Sequence, residues 1–194
     1  MDKFDYPAIG QRLKQLRKRK GLNQQELATL LGKSLRTVQK YETGEIEVSI
    51  AMVNHLADLL ESTPTYILGY ESSNAKIKSL ADIMDFLFKL EQVEGVGFKI
   101  DVKKPPRQKS WECSLTFDGK DMAADYNADM CLFLEQWEEQ REAIRTYDST
   151  QAAYQKWQEQ TLAYYAATAV TSTAPEELDE DTRIQKRREY LDTL

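Results

Sequence analysis

The stretch NQQELATLLGKSLRTVQKYETG, residues 23 to 44, constrains this chain more than any other, because it reads as two short helices hinged at a glycine. Asn23 is an N-cap for the first helix: its side-chain oxygen accepts one of the amide hydrogens that a helix start leaves orphaned. Leu27, Ala28 and Leu31 then fall on one helical face. Gly32 ends that helix, since glycine tolerates the left-handed backbone of a sharp helix exit. Ser34 caps a second helix that runs to about Thr43, with Val38 and Tyr41 pointing inward. Its outward positions are Leu35, Arg36, Thr37, Gln39 and Lys40, with hydrogen-bond donors near the end that a DNA major groove would meet first.

The charge pattern agrees once it is divided along the chain. A net charge of -6 is unusual for a chain that touches nucleic acid, yet residues 1–70 hold 10 Lys and Arg against 8 Asp and Glu, and the remainder 16 against 24. Within residues 12 to 40, Arg12, Lys14, Arg17, Lys18, Arg19, Lys20, Lys33, Arg36 and Lys40 face a single acid, Glu26. Alone such a run reads as a solvated helix end; beside two hinged helices it reads as the footprint that phosphate binding requires.

Residues 9 to 69 resemble the Cro and phage-repressor (XRE) family of helix-turn-helix regulators. Several positions carry the likeness together: Arg17 before the turn Gly21-Leu22, then Asn23 to Ala28, Gly32, Glu42 with Gly44, and closing helices around Leu56-Ala57 and Tyr66 to Gly69. The resemblance implies a five-helix domain in which Arg17 and Glu42 form a structural ion pair. It implies phosphate contact by Asn23 and Gln24, with Gln24 also within reach of a base. Base reading falls on Leu35, Arg36 and Lys40, with Ser34, Thr37 and Gln39 as further DNA-binding candidates. Two positions depart from the pattern. Glu45-Ile46-Glu47-Val48 stands where many relatives carry basic or proline-containing loops, and Glu61 stands where relatives often have glycine.

Beyond the polar stretch 69–74, a helical pattern resumes with Ile77, Leu80, Ala81, Met84, Leu87 and Phe88 on one face. Near 97–117 the period changes to two. Phe98, Ile100 and Val102 alternate with charged residues; after Pro105-Pro106 so do Trp111, Cys113, Leu115 and Phe117, which predicts a β-hairpin with one apolar face. A lone hairpin is marginal in water, so that face calls for helices of the same domain or of a second subunit. A long helix is expected over Asn127 to Tyr147, carrying Trp137, and another from Ser149 that is rich in aromatics (Tyr154, Trp157, Tyr164, Tyr165), which at helical spacing read as core or helix–helix interface. An acidic connection over Thr171 to Asp181 leads to a short charged helix with Ile184, Tyr190 and Leu191.

The fold expected is therefore mostly α. Residues 1–70 form a helix-turn-helix DNA-binding domain, and residues 71–194 an α+β domain of long helices with one hairpin, serving dimerisation or regulation. Its partners are double-stranded DNA, read as a homodimer at a palindromic operator with repression as the default outcome, and a possible protein or peptide effector. The runner-up is a protein-interaction module whose acidic helical second half binds a protein partner, with the helix-turn-helix autoregulatory. An enzyme is disfavoured: there is no P-loop, GxSxG or HExxH, and His55 is the only histidine. No cofactor or metal is expected, since Cys113 and Cys131 lack CxxC spacing. No run approaches the length of a membrane helix and MDKFDYPAIG is not an apolar signal segment, which predicts a cytoplasmic protein with no membrane contact.

Overall fold

A computed structural model describes residues 4–70, 77–106, 109–173 and 177–192. The sequence-based linker at 69–74 lies outside these from residue 71 onward, as does 174–176 of the acidic connection. The described residues are mostly helical, with one two-stranded antiparallel sheet. They divide into two units, Met1–Lys76 with Phe133–Ala169, and Ile77–Leu132 with Val170–Leu194.

In the first unit, five helices follow one another: α1 (Tyr6–Arg19), α2 (Gln24–Leu31), α3 (Leu35–Thr43), α4 (Ile50–Leu59) and α5 (Pro64–Leu68). Each starts at a residue whose side-chain oxygen accepts an orphan amide hydrogen: Asp5, Asn23, Ser34, Ser49 and Thr63. At α2 the cap is reciprocal, for the Asn23 amide donates to the Glu26 carboxylate at 2.7 Å and the Glu26 amide to Asn23 Oδ1 at 2.9 Å. Leucines and β-branched residues of all five helices meet in one core that includes Ile9, Leu13, Leu16, Leu27, Val38, Val53, Leu56 and Ile67. Each fully buried side chain of this size contributes about 1.5–3 kcal/mol of burial free energy.

Two contacts lock α1 to α3. Gly10 lies so close to α3 that a Cβ there would sit 2.5 Å from the Tyr41 carbonyl oxygen and 2.6 Å from that of Glu42. Further along, Arg17 Nε donates to Glu42 Oε1 at 2.5 Å and Arg17 Nη2 to Glu42 Oε2 at 3.1 Å, with both residues 7% exposed. Arg17 Nη1 also donates to the Leu22 carbonyl at 2.7 Å, and Gln24 Nε2 to Glu42 Oε2 at 2.7 Å. The hydrogen bond to Glu42 raises the Arg17 pKa further above its ordinary value, against desolvation. Glu61, after α4, takes up φ +51°, the left-handed region that favours glycine. Its carboxylate pairs with Lys20, which holds its pKa below the usual carboxylate range.

Helix α8 (Gln151–Tyr165) packs on α4 and α5. Ala163 enters the core fully buried, Thr65 Oγ1 donates to Glu159, and Lys156 pairs with Asp58 at 2.8 Å. The end of α7 (Asn127–Arg145) that belongs to this unit stacks Phe133 and Trp137 with Tyr154 and Trp157 of α8, and Trp137 Nε1 donates to Tyr154 Oη at 2.7 Å.

In the second unit, β1 (Lys99–Lys103) pairs with β2 (Glu112–Thr116), setting Ile100 opposite Leu115 and Val102 opposite Cys113. The base of this hairpin is held by Asn127, 1% exposed, which accepts from the Gly97 amide at 3.0 Å and donates to the carbonyls of Gly97 and Asp118 at 2.8 and 3.0 Å. Helix α6 (Leu80–Glu91) starts in a Ser79–Asp82 capping box and buries none of its residues. Helix α9 (Glu180–Leu191) likewise buries none.

Two expected outcomes follow from the α1–α3 contact. Gly10→Ala forces backbone apart on both sides and should lower unfolding free energy by about 2–3 kcal/mol, read from the urea midpoint. Arg17→Met should cost about 3–5 kcal/mol because it strands the Glu42 charge, whereas Arg17→Met with Glu42→Leu should recover most of that loss in a double-mutant cycle.

Candidate nucleic-acid interface

The site is built from two caps and one exit. Ser34 opens α3 in extended backbone, φ -74°, with its Oγ accepting from the Thr37 amide at 3.1 Å and lying 2.8 Å from Thr37 Oγ1. The side chains of Ser34 and Thr37 are thus engaged with each other at the first turn. Leu35 is 37% exposed although apolar, and Arg36 and Gln39 are exposed beside it. Arg36 makes no ion pair or hydrogen bond with another described residue. Val38 and Glu42 are buried on the face of α3 that adjoins Leu35 and turns away from Arg36, which fixes the rotation of the helix about its axis. The exposed stripe therefore rides on a rigid base.

The end of α3 is set by Gly44 at φ +72°, where a Cβ would strike the backbone of Tyr6 and Pro7. The Gly44 amide donates to the Tyr41 carbonyl at 3.2 Å and the Glu45 amide to the Lys40 carbonyl at 3.0 Å, closing the helix in the pattern that brings the second residue past the end back over its last turn. Lys40 Nζ lies 3.1 Å from Glu45 Oε1. In the sequence Glu45 reads only as a departure from a basic loop; the helix-ending glycine one residue earlier is the signal that sets it beside Lys40.

The remaining sequence-based site residues divide by how far they are already engaged. Asn23 is exposed and caps α2, while Gln24 is half-buried with its amide on Glu42. Among the cations of residues 12–40, Arg17 is buried against Glu42, Lys20 pairs with Glu61, Lys40 with Glu45, and Arg12 Nη1 donates to the Ile67 carbonyl at 3.4 Å. Lys14, Lys18, Arg19, Lys33 and Arg36 remain exposed. Of these, Lys33 and Arg36 flank the start of α3, where the amide ends of the helix add a partial positive charge. Such a surface carries donors for phosphate oxygens and for base edges. Among the described residues no helix is long and apolar enough to cross a membrane.

Residues 13–67 match the helix-turn-helix family HTH_3. The chain is similar, at 38% identity and a TM-score of 0.31, to the restriction-modification controller protein C.AhdI from Aeromonas hydrophila, over 32% of its own length and 96% of that protein's. It is also similar, at 23% identity and a TM-score of 0.32, to an HTH_3 family transcriptional regulator from Vibrio cholerae, covering 54% of this chain and about half, 53%, of that one. No curated protein matches it significantly. Through residues 13–67 the chain belongs to the HTH_3 helix-turn-helix family of DNA-binding transcription regulators.

Proposed function

We propose that the chain binds a palindromic operator as a homodimer and represses transcription by occupying promoter DNA. The observation that carries this reading is the exposed stripe on α3, Leu35, Arg36 and Gln39, held in place by the burial of Val38 and Glu42 on the adjoining face. Arg36 is assigned a bidentate contact to guanine, Leu35 the methyl of a thymine, Lys40 a base or a phosphate, and Thr37 and Gln39 the neighbouring groove positions. Asn23, Gln24 and Ser34, at the starts of α2 and α3, are assigned phosphate oxygens. No metal or cofactor enters this mechanism, and no chemical step is assigned to any residue.

Dimerisation is assigned to residues 71–194, with residues 1–70 reading DNA. A single small domain makes too few base contacts for tight specific binding, and two recognition helices about 34 Å apart read two half-sites at once. Support comes from the apolar surface left open in the second unit: Phe86 and Phe88 of α6 are 61% and 65% exposed, and Ile100 and Trp111 of the hairpin 66% and 77%. A 12-residue helix that buries nothing is marginal by itself. Aromatic side chains bury roughly 150–250 Å² each when covered, so these part-covered side chains supply several hundred Å² of the order of 800 Å² per partner that a specific interface requires. A second copy of the chain brings equal apolar area to meet them.

A second reading assigns the second half a protein or peptide partner. What favours it is the acidic face of α7, where Glu135, Glu138, Glu139 and Glu142 line a shallow groove with Asp148 and suit a basic partner. A stoichiometric protein complex formed by a full-length chain that ignores duplex DNA at low salt would select this reading.

For the first reading, sites selected from random DNA by the full-length chain should be palindromic. Arg36→Ala should then lose roughly 1–3 kcal/mol on the selected site and relax preference at one base pair; equal losses on selected and random duplex would remove Arg36 from base reading. Phe88→Glu with Ile100→Glu should shift sedimentation from dimer to monomer and weaken operator binding roughly 100-fold, with the helical circular dichroism retained. A variant that stays dimeric would place the contact elsewhere.

A further inference from the structure

We propose that Glu45 is an intramolecular stand-in for a DNA phosphate, held against Lys40 by the helix-ending turn at Gly44, and that it limits sequence-independent affinity so that base reading decides more of the binding. The inference rests on the DNA-binding reading of α3.

The placement is dictated by the backbone. Gly44 in the left-handed region lets the Glu45 amide return to the Lys40 carbonyl, and this backbone bond sets the two side chains side by side. An apolar pair commonly fills that position at a helix end. Here it is an ion pair, 3.1 Å from Nζ to Oε1. The Lys40 side chain is 30% exposed and that of Glu45 60%, so the pair sits at the rim of the α3 surface rather than inside the fold. Glu47 adds a second exposed acid two residues on.

The consequence is an exchange. For Lys40 to reach a phosphate, its ammonium must leave Glu45, and the freed carboxylate is then left near the DNA backbone. Neutralising a phosphate releases about one condensed counterion, which steepens the dependence of affinity on salt; an acid left unpaired beside DNA recruits a cation and cancels that release. Lys40 therefore contributes little net affinity while Glu45 is present, on cognate and random sequences alike. What remains to distinguish sites is the contacts of α3 with base edges. Exposed ion pairs are worth at most about 1 kcal/mol, so Glu45 adjusts affinity and does not abolish it.

The test uses the full-length chain, Glu45→Gln, Lys40→Gln and the double variant. Each is titrated from low to moderate salt against a random-sequence duplex and a duplex selected by the wild type, or the random duplex alone if selection recovers no site. Glu45→Gln keeps the shape of the residue and its amide bond, so thermal unfolding should not move. It should bind both duplexes about twofold to fivefold more tightly and steepen the slope of log affinity against log salt by roughly one. Lys40→Gln should lose little in the wild-type background and severalfold more in the Glu45→Gln background. Affinity and slope unchanged by Glu45→Gln, additive effects of the two substitutions, or a gain confined to the selected site would each overturn the proposal while leaving DNA binding intact. Failure of both the wild type and Glu45→Gln to bind either duplex would overturn the DNA-binding reading and this one with it.

Discussion

The ion pair between Arg17 and Glu42 is the contact on which the geometry of the first unit depends. Two charges taken out of water are expensive, and they persist only because each is fully engaged: the guanidinium reaches both carboxylate oxygens and the Leu22 carbonyl, and the carboxylate also accepts from Gln24. A well-packed apolar pair in the same place would hold the helices at least as tightly. What the ionic pair adds is registry. A forked cation meets a carboxylate in few arrangements, so α1, the start of α2 and the last turn of α3 are fixed together, and with them the direction in which Leu35, Arg36 and Gln39 point.

The basic run of residues 12–40 is a different surface from the one its charge count describes. Fold-dependent partners take up much of it: Glu42 for Arg17, Glu61 for Lys20, Glu45 for Lys40. Exposed cations remain at Lys33 and Arg36 by the start of α3 and at Lys14, Lys18 and Arg19 along α1. The first two place charge beside the side chains assigned to base reading.

Much of the architecture was legible in the chain. Helices α2 and α3 announce themselves through caps and glycines, local features that act within one turn, and the five-helix set of residues 6–68 follows from the family resemblance. The hairpin near 97–117 is announced by strict alternation, and its strands form at 99–103 and 112–116. The long-range contacts were not legible. Nothing in the spacing of Asn127 distinguishes it from an ordinary helix start, yet it makes three hydrogen bonds that tie the hairpin base. Glu61 reads as a poor substitute for glycine, and its left-handed backbone is seen only once Lys20 is found beside it. At the interface, the exposure of Arg36 and Gln39 follows from Val38 and Tyr41 facing inward, whereas the pairing of Lys40 with Glu45 needs the geometry of the turn between them. Periodicity reports which face of a helix is apolar; it does not report what that face meets.

Ala163 completes a hydrophobic core whose other members, apart from helix α8, end at Leu68. On a ribosome adding roughly 5–20 residues per second, the early helices emerge many seconds before α8 does. During that interval the surfaces of α4 and α5 that later meet Ala163, Glu159 and Lys156 face solvent. Closure of the unit is thus a late event in the life of each new chain, timed by translation of a segment that contributes nothing to the α3 surface.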